Sequence, residues 1–143
     1  MDKSHLPGRE RRMIEYRISP GINGNAIGDL RESVGWNRMD QVYRDPRLQS
    51  FCCIGAFDGE KLVGYVDCVS NGVTDAYIQD LMVHPSYQGQ GIGTQLMNRI
   101  IDYLKCKQIY MISVIYDASL KSFYKKFGFC EMLSGQLQTY DCE

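Results

Sequence analysis

The residues most able to do chemistry stand together in Leu81-Met82-Val83-His84-Pro85-Ser86-Tyr87-Gln88-Gly89-Gln90-Gly91-Ile92-Gly93-Thr94. An apolar strand ending at Val83 passes through a proline turn into alternating glycines, and a helical pattern begins there. A helix N-terminus exposes N–H groups that have no partner within the helix, and it carries the positive end of the dipole. Glycine lets those N–H groups approach an anion closely, because no Cβ intervenes. The stretch from Gln88 to Thr94 therefore predicts a phosphate or pyrophosphate site. A Walker A loop ends in Gly-Lys-Ser/Thr, and Gly93-Thr94 has no lysine before the threonine. A dinucleotide fingerprint is a nearer rival. Gly89-x-Gly91 opens a helix after a strand, and Asp117 follows the next strand at about the distance of a ribose-binding acid. Against that rival, the third small position falls on Thr94, and a hairpin of strands precedes the unit.

The elements that must position this stretch are legible in the periodicity. Ile14, Tyr16 and Ile18 alternate with polar residues, as a half-buried strand does, and Ser19-Pro20-Gly21 ends it. Ile22, Ala26, Ile27, Leu30 and Val34 fall at helical spacing over Asn23–Val34, with a second short helix over Asn37–Arg44 before Pro46. Phe51–Phe57 and Lys61–Ser70 read as strands joined by Asp58-Gly59, the strongest hairpin signal in the chain. Tyr77–Val83 is a third strand. Beyond the glycines, Ile92, Leu96, Met97, Ile100, Ile101 and Leu104 make one continuous apolar stripe. Ile109–Ile115 reads as a buried strand, and Asp117 as the cap of a helix reaching Phe127. Gly128 ends that helix, and one or two further strands are expected after it. Trp36 is expected to plug the core beneath the first helices. The order β-α-α-β-β-β-α-β-α-β predicts a mixed sheet with helices, an α/β (α+β) fold.

Composition bounds the rest. The chain has 143 residues, which suits one domain, with residues 1–12 as a polar leader and 13–143 as the domain. A net charge of -1 argues against nucleic acid as the main partner. No apolar run is long enough to cross a bilayer and no signal peptide is evident, so no membrane partner and a cytoplasmic location are expected. Cys52, Cys53, Cys68, Cys106, Cys130 and Cys142 form no CxxC pair, and His5 and His84 lie far from any cysteine pair. The spacing thus predicts reduced thiols and no metal site.

Gln88-x-x-Gly91-x-Gly93, preceded by Leu81-x-Val83-x-Pro85, resembles the acetyl-CoA signature of the GNAT N-acetyltransferase superfamily. Ser122-Phe123-Tyr124-Lys125-Lys126-Phe127-Gly128-Phe129 is similar to that family's FYxKxGF element, at the expected separation. The resemblance covers most of the chain from about Met13, and it is most specific between Tyr77 and Phe129. It implies the GNAT-type fold, a central mixed and mostly antiparallel sheet flanked by helices. It also implies acetyl-CoA as cosubstrate, with the pyrophosphate held by backbone N–H groups of Gln88, Gly89, Gln90, Gly91, Ile92, Gly93 and Thr94. The pantetheine arm would lie along Leu81, Met82 and Val83, where strands splay apart and leave backbone groups free to pair with it. A backbone N–H near Met82 or Val83 would polarise the thioester carbonyl. Phe123 and Asp117 complete the implied cofactor contacts, although Asp117 stands where relatives often carry asparagine and Leu120 where many carry alanine. Many members pair, so a homodimer is a further expectation.

Two proton transfers must then be served. An aliphatic amine, with a pKa of about 10.4, arrives protonated and needs a carboxylate or a water chain to take its proton. Asp80, in the central strand, is the first choice for this base, with Asp67 and Gln79 behind it. On its own a carboxylate there reads equally as a strand-edge residue bound to a loop. The leaving thiolate benefits from a phenol donor, and the resemblance assigns that role to Tyr124, which spacing alone would read as a core aromatic. His84 reads as a surface residue. The acceptor region is expected at Asn23–Leu48 and Leu133–Tyr140, and a small-molecule amine is the expected acceptor, a protein or peptide amine the alternative. A non-catalytic acyl-CoA sensor of the same fold is the rival from another class.

Overall fold

The computed structural model describes residues 13–18 and 21–139, so the leader, the Ser19-Pro20 turn and the end of the chain from Tyr140 lie outside the described residues. Asp58 and Gly59 turn the chain as their types require. Gly59 takes a left-handed φ of +62°, and strands β2 (Cys52–Asp58) and β3 (Lys61–Ser70) run back along each other. Strand β1 (Ile14–Ile18) pairs with β2 on one side, and β4 (Asp75–Val83) pairs with β3 on the other, all antiparallel. Strand β5 (Met111–Val114) lies parallel to β4 and closes a five-stranded sheet in the order β1-β2-β3-β4-β5.

Alternation along these strands divides the core in two. Ile54, Val66, Cys68, Ala76 and Ile78 face helix α3 (Ile92–Cys106), whose Ile92, Leu96, Met97, Ile100, Ile101 and Leu104 are all buried against them. Each such aliphatic side chain contributes about 1.5–3 kcal/mol relative to exposure. Phe57, Leu62, Tyr65 and Met82 face the other way, onto Ile27 and Leu30 of helix α1 (Gly24–Ser33). Asn23 caps α1 by accepting a 2.7 Å bond from the Asn25 N–H. No helix among the described residues is long and apolar enough to cross a membrane.

Several sequence expectations need correction. The second helix, α2, spans only Asp40–Tyr43, because Met39 enters it in a left-handed conformation that cannot extend the helix backward. Trp36 is 40% exposed and lies beside the Arg31 guanidinium, 5.3 Å from the carbon to the ring centre, so it does not plug the core. The expected buried strand Ile109–Ile115 is shorter and half-exposed, since β5 is an edge strand with one neighbour. The expected helix Asp117–Phe127 is a 3-10 turn (Ala118–Leu120) followed by α4 (Lys121–Lys125), and the Asp117 side chain makes no capping bond. No strand follows α4 among the described residues. Met132, Leu133 and Leu137 there are exposed, and β-forming residues make a strand only where a neighbouring edge receives them.

Candidate active site

The sheet is irregular at one place, and the candidate site is built on it. On β3, Asp67 pairs with Gln79 and Tyr65 pairs with Met82, so the single residue Val66 faces both Asp80 and Leu81 of β4. This is a β-bulge, with Asp80 in a left-handed conformation, φ +58°. Aspartate tolerates that region better than most residues. The extra residue reverses the side-chain parity. Ile78 before the bulge packs toward α3, whereas Met82 after it packs toward α1. Asp80 meets the α1 side, where the Arg31 guanidinium stands 3.8 Å from its Oδ1. Beyond the bulge, β4 also loses its other neighbour. Pairing with β5 ends at Ile78↔Val114, while β4 continues to Val83. Backbone groups there lack a strand partner on the β5 side among the described residues, so the two strands splay apart.

That opening leads to a cleft of about 280 Å³ where the glycine loop meets α3. Its wall includes Val83, Gln88, Gly89, Gly91, Gly93 and Phe123. Gly89 and Gly91 hold φ values of +78° and +82°, and a Cβ on either would meet nothing within 4 Å. These glycines form an open cradle at the start of a helix, which fits a phosphate group. The Gln88 side chain ties the loop to the end of β4 by donating to the Val83 carbonyl at 3.0 Å. Ile92 and Thr94 also line the cleft, and the Lys126 ammonium donates to Thr94 Oγ1 at 2.7 Å. Lys126 was not among the expected site residues. Its only sequence signal is the lysine pair inside the second motif.

The remaining expected contacts separate. The Met82 side chain is buried on the opposite face, so its backbone alone can serve the cleft. Leu81 packs against the α3-side core, Gln90 is exposed, and Asp117 is exposed at the head of its 3-10 turn. None of these four lines the cleft. His84 is partly buried and accepts the Ser86 N–H through Nδ1 at 3.1 Å, a local turn contact.

Tyr124 is buried beneath the sheet end, its ring stacked on Tyr116 at 4.4 Å and crossed by Phe123 at 5.0 Å. Burial, then the neighbouring phenols of Tyr77 and Tyr116, pushes its pKa above the ordinary tyrosine value. The group therefore keeps its proton at neutral pH and has one to give. Asp80 is held above the usual carboxylate range by burial, although Arg31 and the Tyr43 hydroxyl pull it back. Asp67 is more deeply buried, 4% exposed, and accepts a 3.0 Å bond from Tyr65 through Oδ2. Burial raises its pKa as well, opposed by Ser50 and Tyr65. The bulge thus brings Asp80 close to Asp67 on the α1 face, while Gln79, which opposes Asp67 across the strands, is half-buried.

A family model described as the acetyltransferase (GNAT) family matches residues 20–129. The chain belongs to the GNAT family. It is 36% identical over 121 residues to an uncharacterized N-acetyltransferase, ycf52, of Pyropia yezoensis, covering 81% of this chain and 70% of that one. It is 32% identical over 113 residues to the corresponding ycf52 protein of Gracilaria tenuistipitata var. liui, covering 76% of this chain. The chain spans 62% of the length of that relative. Among solved structures, a probable acetyltransferase of meticillin-resistant Staphylococcus aureus superposes with a TM-score of 0.79 over 90% of this chain and 100% of that chain, at 24% identity. That likeness shows the GNAT fold, and the mixed sheet with flanking helices described above is the same architecture.

Proposed function

We propose that this GNAT chain is an acetyl-CoA-dependent N-acetyltransferase acting on an amine of a small molecule. The observation that carries the reading is the junction of two features. The open glycine cradle at the head of α3 adjoins the stretch of β4 beyond Ile78, which carries a bulge against β3 at Asp80 and no longer pairs with β5.

In this reading the N–H groups from Gly89 to Thr94 hold the pyrophosphate, with Lys126 adding positive charge at the mouth. The backbone of Leu81, Met82 and Val83 pairs with the pantetheine amides, and a freed N–H near Met82 or Val83 polarises the thioester carbonyl. Asp80 takes a proton from the acceptor ammonium, directly or through a water. A carboxylate raised by burial binds that proton more firmly than an exposed one. The amine nitrogen then forms its bond to the acyl carbon as the carbon–sulfur bond breaks. The Tyr124 hydroxyl gives its proton to the departing sulfur, and the resulting tyrosinate regains one, through water, as the new amide nitrogen sheds its second proton. A second cleft, of about 310 Å³, lies on the α1–α2 side with Tyr43 and Asp67 in its wall, and it offers a place for the acceptor. Thiol release measured over a panel of small amines tests the reading. Acetyl-CoA binding with no release for any amine would instead support the sensor alternative.

A further inference from the structure

Behind Asp80 stands a buried cation to which the reaction above assigns no role. Arg31 lies in the last turn of α1. Gly35, with φ +84°, turns the chain back over it, and the Trp36 N–H donates to the Arg31 carbonyl at 2.9 Å. The connection to α2 thereby encloses the guanidinium. Its Nε donates to the Asn37 carbonyl, its Nη1 donates to the Tyr43 hydroxyl at 3.4 Å, and the Trp36 ring flanks it. Arginine keeps its charge in a protein, and a buried cation is costly without an anion. Among the described residues, the one carboxylate within ion-pair distance of Arg31 is Asp80.

The contact between them is loose in a way that suits a base. Nη1 stands 3.8 Å from Asp80 Oδ1, beyond hydrogen-bond length, and the same nitrogen is spent on Tyr43. Attraction between charges still acts across that gap, whereas a hydrogen bond would occupy the lone pair that must take the proton. The Arg31 side chain is 11% exposed and that of Asp80 is 31% exposed, so the acid stays reachable in front of an enclosed cation. Burial favours the protonated acid, which cannot act as a base, and Arg31 opposes it. The other titratable groups that act on Asp80 or feel its charge are Tyr43 of α2, Asp67 of β3 and Tyr77 of β4, and none of these is a cation. Resting on the acetyltransferase reading, we propose that Arg31 is the positioning residue of the Asp80 base, keeping the carboxylate charged at the bulge without taking up the oxygen that receives the proton. Tyr43 and the Asn37 carbonyl locate the guanidinium in turn.

The test pairs kinetics with a direct titration of Asp80 in the full chain. Aspartate carboxyls are labelled with carbon-13, and the Asp80 resonance is assigned by its absence from Asp80→Asn. An opposite charge this close lowers a carboxylate titration by about one to three pH units, and partial exposure puts Asp80 at the lower end. In Arg31→Met and Arg31→Gln the Asp80 midpoint should therefore rise by about one unit, a tenfold gain in proton affinity. Arg31→Lys keeps the charge and should restore part of the wild-type value. The acid limb of kcat/KM for thiol release, measured over the small-amine panel, should move to higher pH by the same amount. An unmoved Asp80 midpoint in both neutral variants overturns the proposal. So does a lowered plateau of kcat/KM with an unmoved limb, which is what a purely structural role for Arg31 would give. If the Asp80 midpoint rises as expected but no amine releases thiol, the contact stands and the acetyltransferase reading fails instead.

Discussion

Replacing Gly91 by alanine separates backbone strain from loss of the phosphate cradle. Gly91 caps α3 with φ +82° and ψ 8°, and an added Cβ meets no atom within 4 Å. In the free protein the substitution therefore costs only the left-handed strain, about 1–2 kcal/mol. For a chain of this size that corresponds to a fall in Tm of roughly 2–8 °C. With cofactor present the same methyl occupies the space a phosphate oxygen would fill. Loss of one hydrogen bond to that charged group weakens binding by roughly ten- to hundredfold. Gly128 is the control, because its φ of +90° is equally left-handed, its Cβ also meets nothing within 4 Å, and it lies off the cleft. Calorimetric titration of acetyl-CoA into both variants, with thermal unfolding of each, is the assay. Both should lose similar stability, and only Gly91→Ala should lose affinity. Equal affinity in Gly91→Ala and the wild type, or an equal loss in Gly128→Ala, would refute the cradle.

Tyr124→Phe should leave acetyl-CoA affinity within about twofold and slow turnover by roughly ten- to ten-thousandfold, as single-turnover thiol release would show; an undiminished rate removes Tyr124 as donor. Because the Asp80 pKa lies above its ordinary value, kcat/KM should rise with pH through an apparent pKa above the usual carboxylate value of about 3.9. Asp80→Asn should abolish that limb and lower the plateau, and a pH–rate profile identical to wild type rejects it as base. Asp67 also has a raised pKa in the fold, so its contribution to stability is fully present below about pH 3.9 and is lost as pH rises through the folded value. Asp67→Asn mimics the protonated form. Its Tm should exceed that of wild type at pH 7, with the gap closing toward pH 4, and a constant gap counts against a buried ionised carboxylate.

What the sequence made legible follows from how local each signal is. The Asp58-Gly59 hairpin, the buried stripe from Ile92 to Leu104 and the glycine loop depend on neighbours a few residues away, and all three stand where spacing put them. The bulge at Asp80 was not legible, because no glycine or proline marks it and it exists only through its register against Val66. The splaying of β4 from β5 was expected from the resemblance to GNAT proteins, and it appears as pairing that stops at Ile78. Trp36 and the segment after α4 were misread because an apolar residue shows what can be buried, and tertiary packing decides whether it is. Lys126 and the unpaired oxygen of Asp67 are features of contact, visible only once α4 meets α3 and β3 meets the first helices.

The most direct measurement is thermal unfolding of the chain with and without acetyl-CoA, followed on the same sample by thiol release with small amines. Ligand at about a hundred times its Kd adds about 2.7 kcal/mol, so a clear upward shift in Tm is expected, together with thiol release for at least one amine. No shift at millimolar acetyl-CoA would contradict the assignment of the glycine cradle and, with it, the acetyltransferase reading.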